Sequence, residues 1–271
     1  MTAASRDADR AKRELTRHFY GAYRSPDVAV LEGFHPARHA IRFGAQLDVA
    51  VTYDKDRLFR LAGRVDPGVL PAIEQVLQVA SRADFSNLAR RSLSSPLLAS
   101  CARPDYDLPH VLRTSPKPVV YLDRPRNPGN VGAVIRVAAA ADVGAVVLSG
   151  NVDPWSPVVV RSATGLQFAL PVGRAGESTE GLEAVAGTER PVVAIDVDGD
   201  PVAAAHLDPR SVLLVGAERY GLSPQLRRLA ARTVGIPMKP GVSSLNLATA
   251  LSAVLFSWRS CVRERTGSDP W

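Results

Sequence analysis

Short apolar runs that alternate with helical segments are the feature that most constrains this fold. Five such runs lie between residues 118 and 238: PVVYLD, GAVVLSG, PVVAIDVDG, SVLLVG and TVGIPM. Buried apolar strands separated by helices are typical of parallel sheets that carry helices on both faces. We therefore predict an α/β domain built on a mostly parallel sheet.

The N-terminal part is predicted to form a second, smaller α/β domain. Residues 8–22 indicate a charged helix, and the stretch from VAVL to RLAG indicates strand, helix, strand and helix. PGVLPAIEQVLQVASRA continues as a helix, and SSPLLASCARP contains a short strand. Segment 104–118 has four prolines and no periodicity, which favours a linker. The predicted domains are residues 1–112 and 116–271.

Composition excludes several classes of protein. The chain is 46% hydrophobic and 22% charged, which is normal for a globular protein with a buried core. The first 30 residues are too charged for a secretory signal, and residues 242–258 are too interrupted by polar side chains to span a membrane. We expect a cytoplasmic protein.

Charge and metal-ligating residues give weaker signals. The net charge of +6 is compatible with a polyanionic partner. The two cysteines, Cys101 and Cys261, are far apart and indicate neither a disulfide framework nor a zinc ribbon. His35 and His39 have a helical spacing but no third ligand nearby, so we predict no metal site.

The first motif is NPGNVGAVIRVAAAA, residues 127–141, which follows a predicted strand and begins a predicted helix. Its Gly129 and Gly132 do not complete the three-glycine turn of a dinucleotide-binding fold. Gly129 is explained by a turn that needs backbone freedom. Arg136 has apolar neighbours on its helix and should therefore find a partner or reach the helix end, which favours a functional role.

Two further motifs follow strands. In LLVGAERYGLSPQL, Gly216 allows a ligand to approach the backbone, and Glu218 points into the same crevice; Ser223 and Pro224 begin a helix. In GIPMKPGVSSLNLATAL, Ser243 or Ser244 caps a helix whose first turn contains Asn246. Because ligands bind at the carboxyl ends of parallel strands, these loops are candidate site segments. Turn formation and helix capping remain alternative explanations of each motif on its own.

Taken together and in this order, the motifs resemble those of the SpoU/TrmH-type RNA 2′-O-ribose methyltransferases of the SPOUT superfamily. The matching patterns are N-x-x-G-N-x-G-x-x-x-R, G-x-E-x-x-G-L-S and I-P-M-x(6)-S-L-N, together with D-x-x-x-P-x-x-x-R-S-x-x-G at residues 153–165. The resemblance runs from about Val119 to Trp258. VLEGFHPARHAI and SPLLASCARP are similar to the ends of the small substrate-binding module that precedes many such enzymes.

The resemblance implies a C-terminal trefoil knot, a homodimer and S-adenosylmethionine as the methyl donor. It implies a cofactor pocket lined by Gly216, Ile236, Met238 and Leu245, in which backbone groups recognise the adenine. It also implies a catalytic group composed of Arg136, Asn130, Glu218, Asn246 and Ser244.

The resemblance places Arg136 next to the ribose 2′-hydroxyl, where such an arginine is often described as the base. A guanidinium with a pKa above about 12 stays protonated, whereas a general base works best near ambient pH. We therefore expect Arg136 to remain charged, to anchor the neighbouring phosphate and to stabilise the developing alkoxide.

The substrate stays open between rRNA, which the N-terminal module favours, and tRNA. Arginines of that module, among them Arg38, Arg42, Arg90 and Arg91, are candidates for phosphate contacts. One alternative is a non-catalytic RNA-binding protein on the same fold, and another is a dinucleotide-dependent enzyme, which the missing third glycine disfavours.

Overall fold

The chain folds into two compact units. The computed structural model describes residues 3–176, 183, 186–202, 207–217 and 219–267. The N-terminal unit comprises Met1–Asp105 and Trp155–Ala169, and the C-terminal unit comprises Tyr106–Pro154 and Leu170–Trp271. This division differs from the expected one in two places, because residues 106–112 pack with the C-terminal unit and residues 155–169 with the N-terminal unit.

The described helices and strands follow the order expected of two α/β units. Their bounds are α1 Ala3–Ala22, β1 Val28–Glu32, α2 Phe34–Arg42, β2 Leu47–Thr52, α3 Lys55–Val65, α4 Leu70–Val76, β3 Leu77–Val79, α5 Arg82–Ala89, β4 Leu98–Ala102, α6 Leu108–Thr114, β5 Val119–Leu122, α7 Pro128–Ala140, β6 Ala145–Leu148, α8 Pro157–Ser162, β7 Val172–Arg174, β8 Val192–Pro201, β9 Val212–Val215, α9 Pro224–Leu229, β10 Arg232–Gly235 and α10 Leu247–Thr266. The predicted helix TEGLEAVAG falls largely outside the described residues.

The N-terminal unit is built on a four-stranded sheet of order β1-β4-β2-β3. Strand β4 is antiparallel to β1 and β2, whereas β3 is parallel to β2 and pairs Leu77 with Ala50. The helix expected from residue 67 to residue 83 is therefore wrong: it ends at Val76, and the chain continues as a strand. Leu77–Val79 supplies backbone partners to the edge of β2, and this pairing outweighs the local helical pattern.

The C-terminal unit contains a six-stranded sheet of order β10-β8-β9-β5-β6-β7. Neighbouring strands run parallel, and every residue of β5, β6 and β9 is buried. This confirms the mostly parallel sheet predicted from the apolar runs. The expected linker at 104–118 instead contains α6, because Asp107 caps its first turn by accepting from the backbone N–H of His110 at 2.9 Å.

Two features of this sheet shape its carboxyl edge. Strand β5 has β9 on one side and β6 on the other, so the strand order changes direction there, as it does where open α/β sheets bind ligands. Strand β8 pairs with β10 at Ala194 and again at Asp200. The β8 residues between these two positions bulge away from the pairing. The bulge brings side chains of β8 toward the carboxyl ends of β9 and β10.

No helix among the described residues has both the length and the apolar character needed to cross a membrane. The last helix, α10, instead buries Leu251, Val254, Leu255 and Trp258 and packs against α7. The stretch 242–258, which we predicted not to span a membrane, therefore contributes to the core of the C-terminal unit.

Candidate functional site

A pocket of 530 Å³ lies at the carboxyl edge of the C-terminal sheet. Its walls come from the first turn of α7, the bulge of β8, the turn after β9, and the segment between β10 and α10. Seven of the nine predicted site residues line it: Asn130, Gly216, Ile236, Met238, Ser244, Leu245 and Asn246. The three motifs, far apart in sequence, thus meet at one site.

Asn246 joins the last motif to the first. Its Nδ2 donates to Oδ1 of Asn130 at 3.0 Å, and its own Oδ1 accepts from the backbone N–H of Ala248 at 3.0 Å. Asn246 is therefore the N-cap of α10, and the prediction that Ser243 or Ser244 caps this helix is wrong. The two roles of Asn246 use different atoms of its side chain: Oδ1 caps the helix, and Nδ2 bonds Asn130 in the pocket wall.

Gly216 is fixed by the chain's own backbone. A Cβ atom at this position would lie 2.2 Å from the carbonyl carbon of Gly221, since Ala217 and Gly221 exchange two backbone hydrogen bonds just beyond it. Gly221 adopts a left-handed φ of 62°, which closes the turn. The glycine that lines the pocket is thus required by a tight hairpin, a reason distinct from the expected ligand approach.

The bulge of β8 adds pocket residues that the motifs did not indicate: Ile195, Asp196 and Val197. The side chain of Asp196 is 17% exposed and forms an ion pair with Arg227 of α9. Its Oδ1 also accepts from the backbone N–H of Val197 at 2.7 Å. The acidic run IDVDGD within β8 indicated a carboxylate here, but nothing in it indicates the register shift that brings Asp196 to the pocket.

Arg136 does not line the pocket in the described chain. It lies on the exposed side of α7, while Val131, Val134 and Ile135 face the core. No hydrogen bond or ion pair to another described residue involves Arg136, so the partner expected for this arginine is not found within the described part of the chain. Gly129 likewise lies within the first turn of α7, where its N–H donates to Oδ1 of Asn127, and needs no unusual backbone freedom.

Glu218 lies outside the described residues. The helix after its turn begins as predicted, with Ser223 at the N-cap and Pro224 in the first turn, although the Ser223 side chain makes no capping bond. Instead, the Ser223 N–H donates to Oδ2 of the fully buried Asp123 at 2.7 Å. Asp123 thereby joins the end of β5 to the start of α9.

The fourth matching segment, residues 153–165, packs mostly within the N-terminal unit. Arg161 forms an ion pair with Glu32, whose other oxygen accepts from the hydroxyl of Tyr23 at 3.0 Å. A Cβ at Gly165, which has a φ of 78°, would lie 2.5 Å from the carbonyl oxygen of Pro36. These contacts explain why this segment belongs to the first unit.

His39 takes part in the same packing. Its Nδ1 lies 2.6 Å from the carbonyl oxygen of Thr164, and its Nε2 lies 2.6 Å from a guanidinium nitrogen of Arg38. A carbonyl can only accept and a guanidinium can only donate, so this geometry requires the neutral Nδ1–H tautomer. Burial is the main reason that the pKa of His39 lies below its usual value. Across the described residues, no group of three or more His, Cys, Asp or Glu side chains is arranged to hold a metal ion.

Comparison with known sequences gives consistent matches. The family model described as "SpoU rRNA Methylase family" matches residues 117–256. The 23S rRNA (uridine(2479)-2′-O)-methyltransferase of Streptomyces viridochromogenes is 39% identical over 159 residues, which are 56% of this chain and 55% of that protein. An uncharacterized tRNA/rRNA methyltransferase of Mycobacterium ulcerans is 30% identical over 92% of this chain and 81% of its own length.

Solved structures share the fold. The SpoU methyltransferase AviRb from Streptomyces viridochromogenes in complex with AdoMet aligns with a TM-score of 0.70 and 26% identity, covering 93% of this chain and 99% of that one. An AdoMet-bound rRNA methyltransferase from Sinorhizobium meliloti aligns with a TM-score of 0.70 and 27% identity, covering 96% of each chain. The similarity therefore extends over both units.

Proposed function

This chain belongs to the SpoU rRNA methylase family, and on that premise we propose that it transfers a methyl group from S-adenosylmethionine to a ribose 2′-hydroxyl of RNA. The observation that carries the proposal is a pocket in which residues of all three motifs meet. The chain matches about half the length of the 23S rRNA methyltransferase, and the RNA that it methylates is part of this proposal.

The pocket fits the proposed cofactor in size and chemistry. Its 530 Å³ lies within the range of about 300–1,000 Å³ that is usual for small-molecule sites. Ile236, Met238 and Leu245 offer apolar surface to an adenine, and Gly216 contributes main chain without a side chain. When bound, S-adenosylmethionine supplies a methyl group on a positively charged sulfur. Asp196 adds a carboxylate to the pocket wall, where its ion pair with Arg227 holds it in place.

The polar residues of the pocket orient the nucleophile. The Asn130–Asn246 bond fixes two side-chain amides at the mouth of the pocket, where amide N–H groups can hold a ribose hydroxyl or a phosphate oxygen. Ser244 adds a hydroxyl that both donates and accepts. We assign Glu218, which follows Gly216 by two residues in the second motif, a further positioning role on the strength of the motif.

Arg136 is proposed to act in its charged form, holding the phosphate next to the target ribose and stabilising negative charge on the attacking oxygen. An exposed guanidinium with no partner among the described residues is available to an anionic substrate, which supports this role. The proton of the hydroxyl passes to phosphate or water, because a guanidinium cannot accept it.

We further propose that the active protein is a homodimer with a trefoil knot in the C-terminal unit. Phe256 is an aromatic side chain of α10 that stays 42% exposed, which supports a second copy covering it. The exposed position of Arg136 is consistent with a site completed across that interface. The knot is what the family resemblance implies, and the fold shared with the SpoU methyltransferase AviRb supports that resemblance.

The favoured substrate is rRNA, with tRNA as the alternative within the same reaction. The N-terminal unit would select the RNA, and the net charge of +6 supports a polyanionic partner. With such a substrate we place the reaction in the cytoplasm. The family match and the similarity to AdoMet-bound structures support a catalytic function over one limited to RNA binding.

Calorimetry with S-adenosylmethionine, followed by mapping of 2′-O-methylation across total RNA from cells with and without the protein, tests the proposal. We expect cofactor binding and one or a few ribose positions that lose methylation when the protein is absent. No binding at millimolar cofactor would instead favour a non-catalytic RNA-binding protein.

A further inference from the structure

A basic groove of 430 Å³ lies on the N-terminal unit, between α3 and the segment that leads into β4. Its lining consists of Arg57, Arg60, Leu61, Arg64, Ser94 and Ser95. The three arginines are spaced by three and four residues, so they share one face of α3 over about 10 Å of helix. No acidic side chain is part of this lining.

The groove has a fixed wall. Arg57 donates to the carbonyl oxygen of Ser94 at 3.3 Å and to the hydroxyl of Tyr53 at 3.4 Å, which ties α3 to the segment before β4. Ser95 is buried, and its Oγ accepts from the backbone N–H of Phe34 at 2.8 Å. The shape of the groove is therefore set by contacts that need no ligand.

Arg60 and Arg64 are available to a ligand. Both are exposed, and within the described part of the chain neither forms a hydrogen bond or an ion pair. Asp56 lies one turn before Arg60 but does not pair with it. Asp54 caps α3 by accepting from the backbone N–H of Arg57 at 2.9 Å, so its carboxylate is already engaged.

The arginines first considered for phosphate contact are largely committed elsewhere. Arg42 forms an ion pair with Asp66 at 3.1 Å, Arg38 contacts the ring of His39, and the guanidinium of Arg90 lies 4.1 Å from the ring centre of Tyr23. An arginine that is already paired gains less from a phosphate, since it must first give up its partner. Arg60 and Arg64 of α3 are therefore the better candidates for phosphate contacts.

We propose that this groove, which we call the α3 groove, binds the phosphate backbone of the RNA substrate through Arg60 and Arg64, with Arg57 holding its wall. The inference rests on the proposed function, because it assigns the substrate of that function to one surface. Guanidinium groups in a row suit successive phosphates, which each accept paired hydrogen bonds. Ser94 and Ser95 border the same groove with further polar atoms.

The test compares wild type with an Arg60→Ala/Arg64→Ala variant, using in vitro transcribed 23S rRNA as the probe and measuring affinity over a series of salt concentrations. Each lost phosphate contact lowers the steepness of log K against log salt by about 0.7 to 0.9, so the double variant should lose about 1.4 to 1.8. We expect affinity to fall on the order of tenfold and KM for RNA to rise similarly, with kcat and S-adenosylmethionine affinity unchanged.

Two control variants make the result specific. Arg13→Ala/Arg17→Ala removes two exposed arginines of α1 with the same four-residue spacing, and Arg60→Lys/Arg64→Lys retains the charge of the groove. We expect both to keep most of the wild-type salt dependence. Equal losses in the α1 and α3 alanine variants, or no loss in the α3 variant, would overturn the groove proposal. If wild type itself neither bound nor methylated RNA, the proposed function would fail instead.

Discussion

The side chain of Asn246 donates to Oδ1 of Asn130 at 3.0 Å across a sequence separation of 116 residues, and the same side chain caps α10. One residue thus sets both the start of the last helix and the distance between the first and third motifs. Its position in the pocket wall makes the bond a feature of the proposed active site.

Asn246→Ser should separate the two roles of this residue. Serine caps helices about as well as asparagine, whereas Ala costs about 1 kcal/mol in capping, so the free energy of unfolding should fall only for Asn246→Ala. Both variants lose the amide that bonds Asn130, and methyl transfer should fall roughly tenfold to a hundredfold in each. Urea unfolding and single-turnover transfer measure the two effects. Full activity of Asn246→Ser would show that the Asn130 bond does not position the site.

Substitution of Arg136 should affect transfer without affecting the fold. The side chain is exposed and unpaired among the described residues, so Arg136→Ala should unfold at the wild-type urea concentration. We expect transfer to fall by roughly a hundredfold or more in Arg136→Ala and by less in Arg136→Lys, because Lys keeps the charge but loses the paired donors. Cofactor affinity, measured separately, should not change. Near-normal turnover in both variants would remove Arg136 from the mechanism.

Gly216→Ala should damage the pocket through the backbone. The new Cβ would lie 2.2 Å from the carbonyl carbon of Gly221, so the hairpin must open, at a cost of about 1–3 kcal/mol. Calorimetry should show weakened S-adenosylmethionine binding. Gly63→Ala is the matched control: Gly63 lies within α3 with no atom near its Cβ position, and alanine there should stabilise the protein by about 0.5–1 kcal/mol. Wild-type cofactor affinity in Gly216→Ala would contradict the assigned role.

Arg190 is expected to stabilise the fold of the C-terminal unit. It is 4% exposed and donates to the carbonyl oxygens of Leu112, Lys117 and Arg210, which join α6 to the segments that precede β5 and β9. Arg190→Met leaves these carbonyls without their donor and should lower the free energy of unfolding by about 2–4 kcal/mol. Arg228→Met, at an exposed position of α9, should change it by less than about 0.5 kcal/mol. Circular dichroism in urea compares the two, and equal stabilities would refute the assignment.

Packing of residues 155–169 should depend on pH through His39. Its folded pKa is lowered, so the stabilising neutral form is fully present above about 6.5 and is lost as the pH falls through the lowered value. Protonation removes the acceptor that faces Arg38, while Arg38, Arg42 and His35 oppose the added charge. Hydrogen exchange of this segment, corrected for intrinsic rates, should show less protection at about pH 5.5 than at pH 7.5. A His39→Gln variant should lose that difference, and an unchanged pH response in it would exclude His39.

The sequence predicted the C-terminal sheet well because its signal is local. VVYL, AVVL and VLLV are short apolar runs of the kind typical of buried parallel strands, and the structure buries every residue of them. Leu77–Val79 was misread because its strand depends on pairing with β2, a contact between distant residues. The helix α6 was not predicted, because the four prolines of residues 104–118 favoured a linker over a helix capped by Asp107.

The candidate site shows the same limit. Gly216 and Asn246 lie in loops that follow strands, and the family resemblance added Ile236 and Met238, so their meeting in one pocket could be predicted. Asp196 reaches the pocket only through the register shift of β8, which no local pattern indicates. The exposure of Arg136 follows from which side of α7 packs on the sheet and on α10, and an apolar neighbourhood in sequence could not reveal it.

The central claim is that this chain methylates a ribose hydroxyl using the pocket at Asn130 and Asn246. Incubation of rRNA with the protein and S-adenosylmethionine carrying a trideuterated methyl group, followed by digestion and mass spectrometry of the nucleosides, tests it most directly. We predict that the label appears on the ribose of a nucleoside with wild type and is strongly reduced with Asn246→Ser. Label on a base, or an unlabelled RNA despite cofactor binding, would contradict the account.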